Sequence, residues 1–210
     1  NTAITRSNFY LNDSGGQYRN GTTDTTRTLS FGPLSDEQRL HYTAVLKGFL
    51  SMLTLQFPSG TQGHQIDAFA RRALWELGLD FDHGTGHGVG HQLLIHEQPH
   101  RIAKKVNPWP LVAGNIMTIE PGYYLADRYG IRIENQVEVV ESQPGFCRFS
   151  SLTLVPVDLS QVEWSLLSEQ EKQWLDTYHQ QVRDTLSPLV DSDARAWLDA
   201  ATAPVCTYMG

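Results

Sequence analysis

Apolar positions recur at helical spacing in three stretches of this 210-residue chain. In the first, Leu46, Phe49, Leu50 and Leu53 stand three and four residues apart, and Ser35 with Gln38 offers a capping box ahead of them. The pattern predicts a helix from about Asp36 to Leu55, broken by Phe57-Pro58-Ser59-Gly60. In the second, Ile66, Phe69, Ala70, Ala73 and Leu77 mark one face of a helix over Gln65 to Leu77, with Gly78 as the stop. In the third, Leu175, Tyr178, Val182 and Leu186 follow a Ser168/Glu171 capping box, and Asp193 is expected to cap a short last helix through Arg195 to Ala201.

Strand signals fill the rest. Phe9 to Phe31 reads as a hairpin-like unit punctuated by Gly15-Gly16, its Thr-rich run Thr22 to Thr28 favouring extended backbone. Ile116 to Glu120 and Ile131 to Val140 read as a second pair, joined through Pro121-Gly122 and Gly130, and Ser151 to Asp158 as a further apolar strand. Glu97 to Ala113, with three prolines, is expected to be loop. Asp13 and Asp24 lie on the two arms of the first unit, Glu120 and Glu134 on those of the second. Two units that each present two carboxylates suggest a two-halved architecture with a site at the seam.

Between the units lies His83-Gly84-Thr85-Gly86-His87-Gly88-Val89-Gly90-His91, followed by His96. The even spacing of His83, His87 and His91 puts them on one face in either a helix or a strand. The glycines decide against the helix, at roughly 1 kcal/mol lost per Gly relative to Ala. A loop feeding a strand from Val89 to His96 is therefore expected, with backbone that a metal or substrate can approach closely.

Composition narrows the function. A hydrophobic fraction of 40% suits one sizeable core. The formal net charge of -7, with no cluster of Lys and Arg, argues against nucleic acid or an acidic membrane as partner. No apolar run approaches the roughly 18 residues of a membrane span, and Asn1 opens no charged-then-apolar leader, so a cytoplasmic protein is expected. Cys147 and Cys206 lack metal-site spacing and are expected to be reduced thiols.

If Asp13, Asp24, Glu120 and Glu134 converge, each like-charged pair at about 4 Å repels by roughly 4 kcal/mol at an effective dielectric of about 20. Arg132 and Arg27 are candidates to neutralise part of that charge. Four carboxylates with one imidazole also match what two divalent metals need, and oxygen-rich ligation favours manganese, cobalt or iron over a thiolate zinc site.

The motifs Tyr10-Leu11-Asn12-Asp13-Ser14-Gly15-Gly16, Gly21-Thr22-Thr23-Asp24, the His-rich stretch, Thr118-Ile119-Glu120-Pro121-Gly122 and Gly130-Ile131-Arg132-Ile133-Glu134-Asn135 together resemble the aminopeptidase P (Xaa-Pro aminopeptidase) family over nearly the whole chain. The resemblance implies an α+β pita-bread fold, a curved antiparallel sheet with helices outside, and hydroxide attack at a dinuclear metal site that releases the residue preceding a second-position proline. It implies Asp13, Asp24, His87, Glu120 and Glu134 as metal ligands for two divalent ions. Manganese is the expected metal; cobalt, zinc and iron are the alternatives. Asp24 and Glu134 would bridge, Glu120 would also move the proton, and His83 and His96 would contact substrate or stabilise the transition state. His91 and Asn20 depart from frequent family residues and receive no role.

Residues 1–158 are read as the catalytic domain and 159–210 as a helical extension whose apolar surface suggests a homodimer. Nothing matching the helix pair ahead of the second carboxylate unit precedes the first, so the chain is expected to lack the N-terminal part of the fold and to be weakly active or inactive alone. The rival readings are a prolidase, a methionine aminopeptidase, or a pita-bread domain that has lost metal and serves as a binding module.

Overall fold

The computed structural model describes residues 3–209. Strands β1 (Phe9–Tyr18) and β2 (Gly21–Ser30) pair without interruption, from Phe9 opposite Ser30 to Tyr18 opposite Gly21. The turn is Arg19-Asn20, and the expected break at Gly15-Gly16 does not exist. Those glycines serve a close approach instead: a Cβ on Gly15 would stand 2.7 Å from the Ile95 side chain, which crosses over it.

Helix α1 (Asp36–Leu53) begins at the predicted box, with Ser35 and Gln38 exchanging hydrogen bonds, and buries Tyr42, Val45, Leu46, Phe49 and Leu50. A short strand β3 (Gln56–Pro58) leads to α2 (Gly63–Trp75). The inner face of α2 is Ile66, Ala70 and Leu74; Phe69 and Leu77, expected there, are 44% and 40% exposed. The crossing of the two helices explains the rotation. Gly48 of α1 lies so close that a Cβ on it would be 2.1 Å from the Ala70 carbonyl oxygen, and only a small residue fits at that contact.

Seven strands follow: β4 (Gly86–Gly88), β5 (Glu97–Ile102), β6 (Ile116–Ile119), β7 (Gly122–Leu125), β8 (Tyr129–Arg132), β9 (Asn135–Gln143) and β10 (Phe146–Ser151). The main sheet is antiparallel in the order β3-β10-β9-β6-β4-β5, and β7 and β8 form their own hairpin. The expected pair 116–120 with 131–140 is thus divided in two, β6 with β9 and β7 with β8. The division falls at Glu120-Pro121 and Ile133-Glu134. Proline has no N–H for the ladder, while the Glu120 N–H donates to the Thr85 carbonyl (2.7 Å) and the Glu134 N–H to the Thr26 carbonyl (3.1 Å). The second of these bonds, with Thr28 Oγ1 donating to the Arg132 carbonyl (2.8 Å), docks β2 beside the break.

Two further expectations are corrected. Regular pairing of the His-rich segment stops at Gly88, and residues 89–96 form a loop that turns at Gln92, where φ is +54°. The strand comes afterwards, as β5, inside the stretch expected to be loop. Gly86 holds β4 against its neighbour, since a Cβ there would lie 1.9 Å from the Thr118 carbonyl oxygen. The last sheet strand is β10 rather than 151–158. Beyond Ser151 the carbonyls of Val155 and Pro156 are taken by the buried Arg27 guanidinium at 2.7 and 2.9 Å.

The C-terminal helices are α3 (Glu169–Leu186), behind the predicted Ser168/Glu171 box, and α4 (Ser192–Ala201). Asp191, not Asp193, caps α4, accepting from the Ala194 N–H at 2.9 Å. Leu175, Tyr178, Val182 and Leu198 join the same apolar cluster as α1 and the sheet, and Trp174 packs edge-on against Phe49. Trp197, by contrast, is 62% exposed. Both cysteines are free. Among the described residues no helix is long and apolar enough to cross a membrane.

His179 of α3 is buried, and its Nε2 accepts from the Val157 N–H at 3.1 Å while Nδ1 has no partner. Burial, reinforced by the positive charge of Arg27, pushes its pKa down to about 4. The folded state therefore keeps His179 neutral where the unfolded chain takes a proton, so stability falls as pH drops from about 6.5 and levels off below about 4. The expected loss from this group is about 3 kcal/mol. Denaturant unfolding of the wild type and His179→Gln between pH 7 and 4 checks it: the variant, whose amide oxygen can still accept from Val157, should show a flatter profile.

Candidate metal centre

His87 lies at the middle of the site. Its main-chain N–H donates to Thr118 Oγ1 at 3.1 Å, and its Nδ1 stands 2.8 Å from the Gly88 carbonyl, which accepts a hydrogen bond from Nδ1–H. That leaves Nε2 as the acceptor nitrogen of the neutral ring. It is buried, has no hydrogen-bond partner, and faces Asp24 Oδ2 at 3.4 Å and Glu120 Oε1 at 3.3 Å. A lone pair set between two carboxylates is repelled unless a proton or a cation stands between them. Burial alone lowers the pKa of His87, but Asp24, the Gly88 carbonyl and Glu120 outweigh it and raise it.

Around that nitrogen the five residues expected as ligands converge. Donor atoms of Asp13, Asp24 and Glu134 all lie within 4.8 Å of one another, as do those of His87, Glu120 and Glu134, and those of Asp24, His87 and His96. Asp24 and Glu134 are each shared by two of these groups. Asp13 and Asp24 come from opposite arms of the first hairpin, with Gly15 facing Asp24 in the register and Thr26 facing Asp13. Glu120 and Glu134 come from the two places where the ladder breaks.

The carboxylates feel one another. Burial, then the charges of Glu120 and Asp24, pushes the Glu134 carboxyl up to about 8 against the opposing hydrogen bond from Thr26 Oγ1 at 2.6 Å. Burial likewise raises Glu120, although His87, the Thr118 hydroxyl (3.1 Å) and Arg132 pull it down. Arg132 supplies the cation, meeting Asp13 at 2.5 Å and the Tyr124 hydroxyl at 2.7 Å. Arg27, the other candidate, does not: its guanidinium bonds the Glu134 backbone carbonyl, not the carboxylate, together with Asn135 Oδ1 and Tyr178. It braces the site from behind.

His83 sits apart from the donor cluster. Its Nδ1 is 2.7 Å from the Gly84 carbonyl, and its Nε2 is 2.9 Å from the Tyr124 hydroxyl. With Nδ1 donating, neutral His83 accepts from Tyr124, whose oxygen accepts from Arg132 in turn; burial keeps the pKa of His83 low and favours that neutral form. The His96 ring lies 4.2 Å, centroid to centroid, from that of His87. His91 does not share their face, because no regular element spans the three histidines, and it bonds the Arg19 carbonyl at 3.0 Å.

Sequence reasoning missed the residues that hold these groups in place. Arg71, fully buried, bonds Asp67 at 2.6 Å and the carbonyls of Phe81 (2.5 Å) and His83 (2.9 Å), while Asp67 accepts from Thr85 Oγ1 at 2.6 Å. The loop into β4 is thereby fastened to α2. A charged pair four residues apart on a helix is a common surface pattern; its position beside Ala70 in the buried stripe was the available signal. Tyr124, two residues beyond the Thr118–Gly122 motif, carried no signal of its own for its contacts with His83 and Arg132. A small cavity of about 190 Å³ opens beside the cluster, lined by His83, His87, His96, Gln98, Arg101 and Glu120 among others.

Residues 1–141 match metallopeptidase family M24, and residues 145–205 match the C-terminal region of peptidase M24. The chain belongs to metallopeptidase family M24. Similar M24 proteins include a probable Xaa-Pro aminopeptidase P from Laccaria bicolor, 48% identical over 96% of this chain and 33% of the relative, and aminopeptidase P1 from Lotus japonicus, 44% identical over 94% and 31%. Among solved M24 structures, the X-prolyl aminopeptidase from Caenorhabditis elegans, a cytosolic enzyme with a di-nuclear active site, superposes with a TM-score of 0.89 at 45% identity, covering 94% of this chain and 34% of that one. The prolidase from Pyrococcus furiosus superposes with a TM-score of 0.61 at 33% identity, over 69% and 41%. The α+β pita-bread fold is that of its M24 neighbours. The chain spans about a third of the length of the relatives it matches.

The raised Glu134 carboxyl gives a prediction with a definite sign. In the metal-free protein it holds its proton up to about pH 8, whereas the unfolded chain loses it near 4.5, so its contribution to stability is lost as pH rises between those values. Glu134→Gln does not titrate. At pH 8 without metal the variant should be more stable by about 2 kcal/mol or more, the gap closing towards pH 5. Added manganese should reverse the order, because the wild type keeps the donor. Thermal melts with and without chelator at the two pH values measure both effects.

Proposed function

We propose that this chain carries the metal-binding half of the cleft of an Xaa-Pro aminopeptidase. The observation that carries the reading is the orphaned His87 Nε2 between Asp24 and Glu120, in a cluster of four carboxylates that Arg132 alone cannot neutralise. The donor set fits two divalent cations, with manganese favoured by the predominance of oxygen. Of the three residues shared between the groups, Asp24 and Glu134 suit the bridging role, since a carboxylate offers two oxygens and His87 one free nitrogen; Asp13 suits one ion, and His87 and Glu120 the other. Bound there, the ions would supply an activated water and an electrophile for the scissile carbonyl.

The chain's own residues do the rest. Glu120 is half in the cluster and half on the cavity wall, and its raised pKa suits a carboxyl that takes a proton and passes it to the leaving nitrogen. His96, packed at a tilt against His87 and also lining the cavity, is placed to donate to the developing oxyanion. His83, kept neutral by burial, also lines the cavity and is placed to contact the substrate. Identity of 44% to 48% to relatives named aminopeptidase P1 or Xaa-Pro aminopeptidase P, against 33% to the prolidase, favours removal of an N-terminal residue over cleavage of dipeptides. The presence of every donor argues against a metal-free binding module.

We assign residues 1–158 to the catalytic part and 159–210 to a helical extension packed on it. The proposal includes a cytoplasmic homodimer, supported by the exposed apolar groups Trp75, Leu189 and Trp197. Light scattering at tens of micromolar should give twice the chain mass for the protein that carries this chain, and a monomer mass would remove that part. The activity test compares Arg-Pro-Pro, an Xaa-Pro dipeptide and a Met-Ala peptide, with manganese present, for the isolated 210 residues and for a version extended to the length of the relatives. Cleavage of Arg-Pro-Pro alone is expected from the extended protein. Glu120→Gln should cut its kcat by at least about a hundredfold. The isolated chain should bind metal yet turn over slowly, because orientation of the substrate, worth roughly 7 to 11 kcal/mol of a barrier, depends on walls that the matched third does not supply. Equal turnover numbers would show those walls to be dispensable, and cleavage of the dipeptide in preference would select the prolidase reading.

A further inference from the structure

The cavity beside the metal cluster has one wall that the proposed chemistry does not use. Arg101 of β5 stands directly opposite His87 of β4 in the strand register. Side chains of directly opposed residues in an antiparallel pair project from the same face of the sheet. Arg101 is therefore on the metal side, and it lines the cavity with His83, His96, Gln98 and Glu120. Its Nε lies 3.2 Å from where a Cβ of residue 84 would be, so the guanidine runs across Gly84, next to His83.

The guanidinium is exposed, and among the described residues no carboxylate stands within 4 Å of it. The other arginines near the site are committed. Arg132 is held by Asp13 and Tyr124, Arg71 by Asp67 and Asp80, and Arg27 by backbone carbonyls. The cleft is thus polar end to end: Asp13, Asp24 and Glu134 crowd one side, and an uncommitted cation stands on the His87–Glu120 side where the cavity opens. With two divalent ions balancing the four carboxylates, Arg101 is the free charge on that side of the cavity, and it repels an ammonium and attracts a carboxylate.

Resting on the aminopeptidase reading, we propose that Arg101 is a specificity residue that receives a carboxylate of the substrate on the leaving-group side of the scissile bond. The carboxylate belongs either to the C-terminus of a short peptide or to an acidic side chain just after the proline. A planar fork with free donors matches both. The preferred substrates are accordingly short or acidic Xaa-Pro peptides rather than long neutral ones.

The test uses the extended, manganese-loaded protein, as wild type, Arg101→Gln and Arg101→Lys. The substrates are Arg-Pro-Pro, its C-terminal amide, and Arg-Pro-Asp amide. In the wild type, amidation of Arg-Pro-Pro should raise KM roughly tenfold with little change in kcat, an effect of the size expected for one exposed charge-assisted bond. In Arg101→Gln the ratio between acid and amide should fall to about one, and Arg101→Lys should retain part of it. A tenfold recovery with Arg-Pro-Asp amide instead would identify the side chain as the source. Equal acid-to-amide ratios in wild type and Arg101→Gln, with Arg-Pro-Asp amide also indifferent to the substitution, would overturn the proposal while leaving the aminopeptidase reading intact. Should no Xaa-Pro peptide be cleaved, that reading falls. Calorimetric titration of Pro-Pro and Pro-Pro amide still decides on Arg101, because only the wild type should prefer the free acid. Among the described residues the side chain makes no hydrogen bond or ion pair, so circular dichroism should show both variants folded.

Discussion

Like-charge crowding is the constraint on which the rest of this molecule depends. Four carboxylates and an imidazole lone pair are brought within a few ångströms where burial already disfavours charge. Each unrelieved pair costs on the order of 4 kcal/mol at an effective dielectric of about 20, a large share of the 5–15 kcal/mol by which a domain is typically stable. The protein relieves only part of this itself. Arg132 meets the outermost carboxylate, Thr26 and Thr118 donate to two others, and Glu134 keeps its proton to about pH 8. The residual repulsion favours a cation in the cluster and is the physical reason that metal binding and stability should be linked.

Holding such a cluster together requires that its backbone be fixed from outside. The two glutamates stand where β6 passes into β7 and β8 into β9, and their N–H groups are taken by Thr85 and Thr26, which come from the His-rich loop and the first hairpin. Behind them Arg27 collects the carbonyls of Thr26, Glu134, Val155 and Pro156, tying β2, the break and the chain beyond β10 to one buried cation. Arg71 does the same for the segment entering β4. Loss of one partner from a buried ionic network of this kind costs roughly 3–5 kcal/mol, so the ligand geometry rests on residues that never touch a ligand.

Much of this was legible in the sequence because its signals are local. The Ser35/Gln38 and Ser168/Glu171 boxes formed as read, since capping is decided within four residues. The five donors could be named from ordered motifs, each of which is a short continuous run of sequence. Other readings failed where a distant contact decides. Gly15-Gly16 has the composition of a turn, yet Gly15 is needed so that Ile95 can cross the strand and Gly16 so that the Tyr18 ring can lie against it. Phe69 belongs to the apolar stripe of α2 by spacing, but the Gly48–Ala70 contact, set by another helix, turns it outward. The strand expected over Val89 to His96 failed for the same reason: alternation can identify residues able to extend, whereas the edge offered by Thr118 and Met117 is used up at Gly88. Arg27 is the sharpest case, because near Asp24 in sequence it invites pairing with a carboxylate, while the strand sends it to the opposite side.

The same alternation gives the cleft its polarity. Because His87 and Arg101 are opposed across one strand pair, the residue that fixes the metal side also fixes where a guanidinium emerges, and neither can be moved to the other face without reversing its whole strand. Ions held by the cluster balance its carboxylates and place the reacting bond, but do not by themselves orient a peptide. A cation anchored by register at the other side of the cavity supplies a second reference point. A reacting bond fixed at the ligands and a cation at a fixed distance from it select both the direction and the length of a peptide that ends in a carboxylate. Discrimination by length can therefore arise from the sheet itself, from a side chain that takes no part in the bond-breaking step.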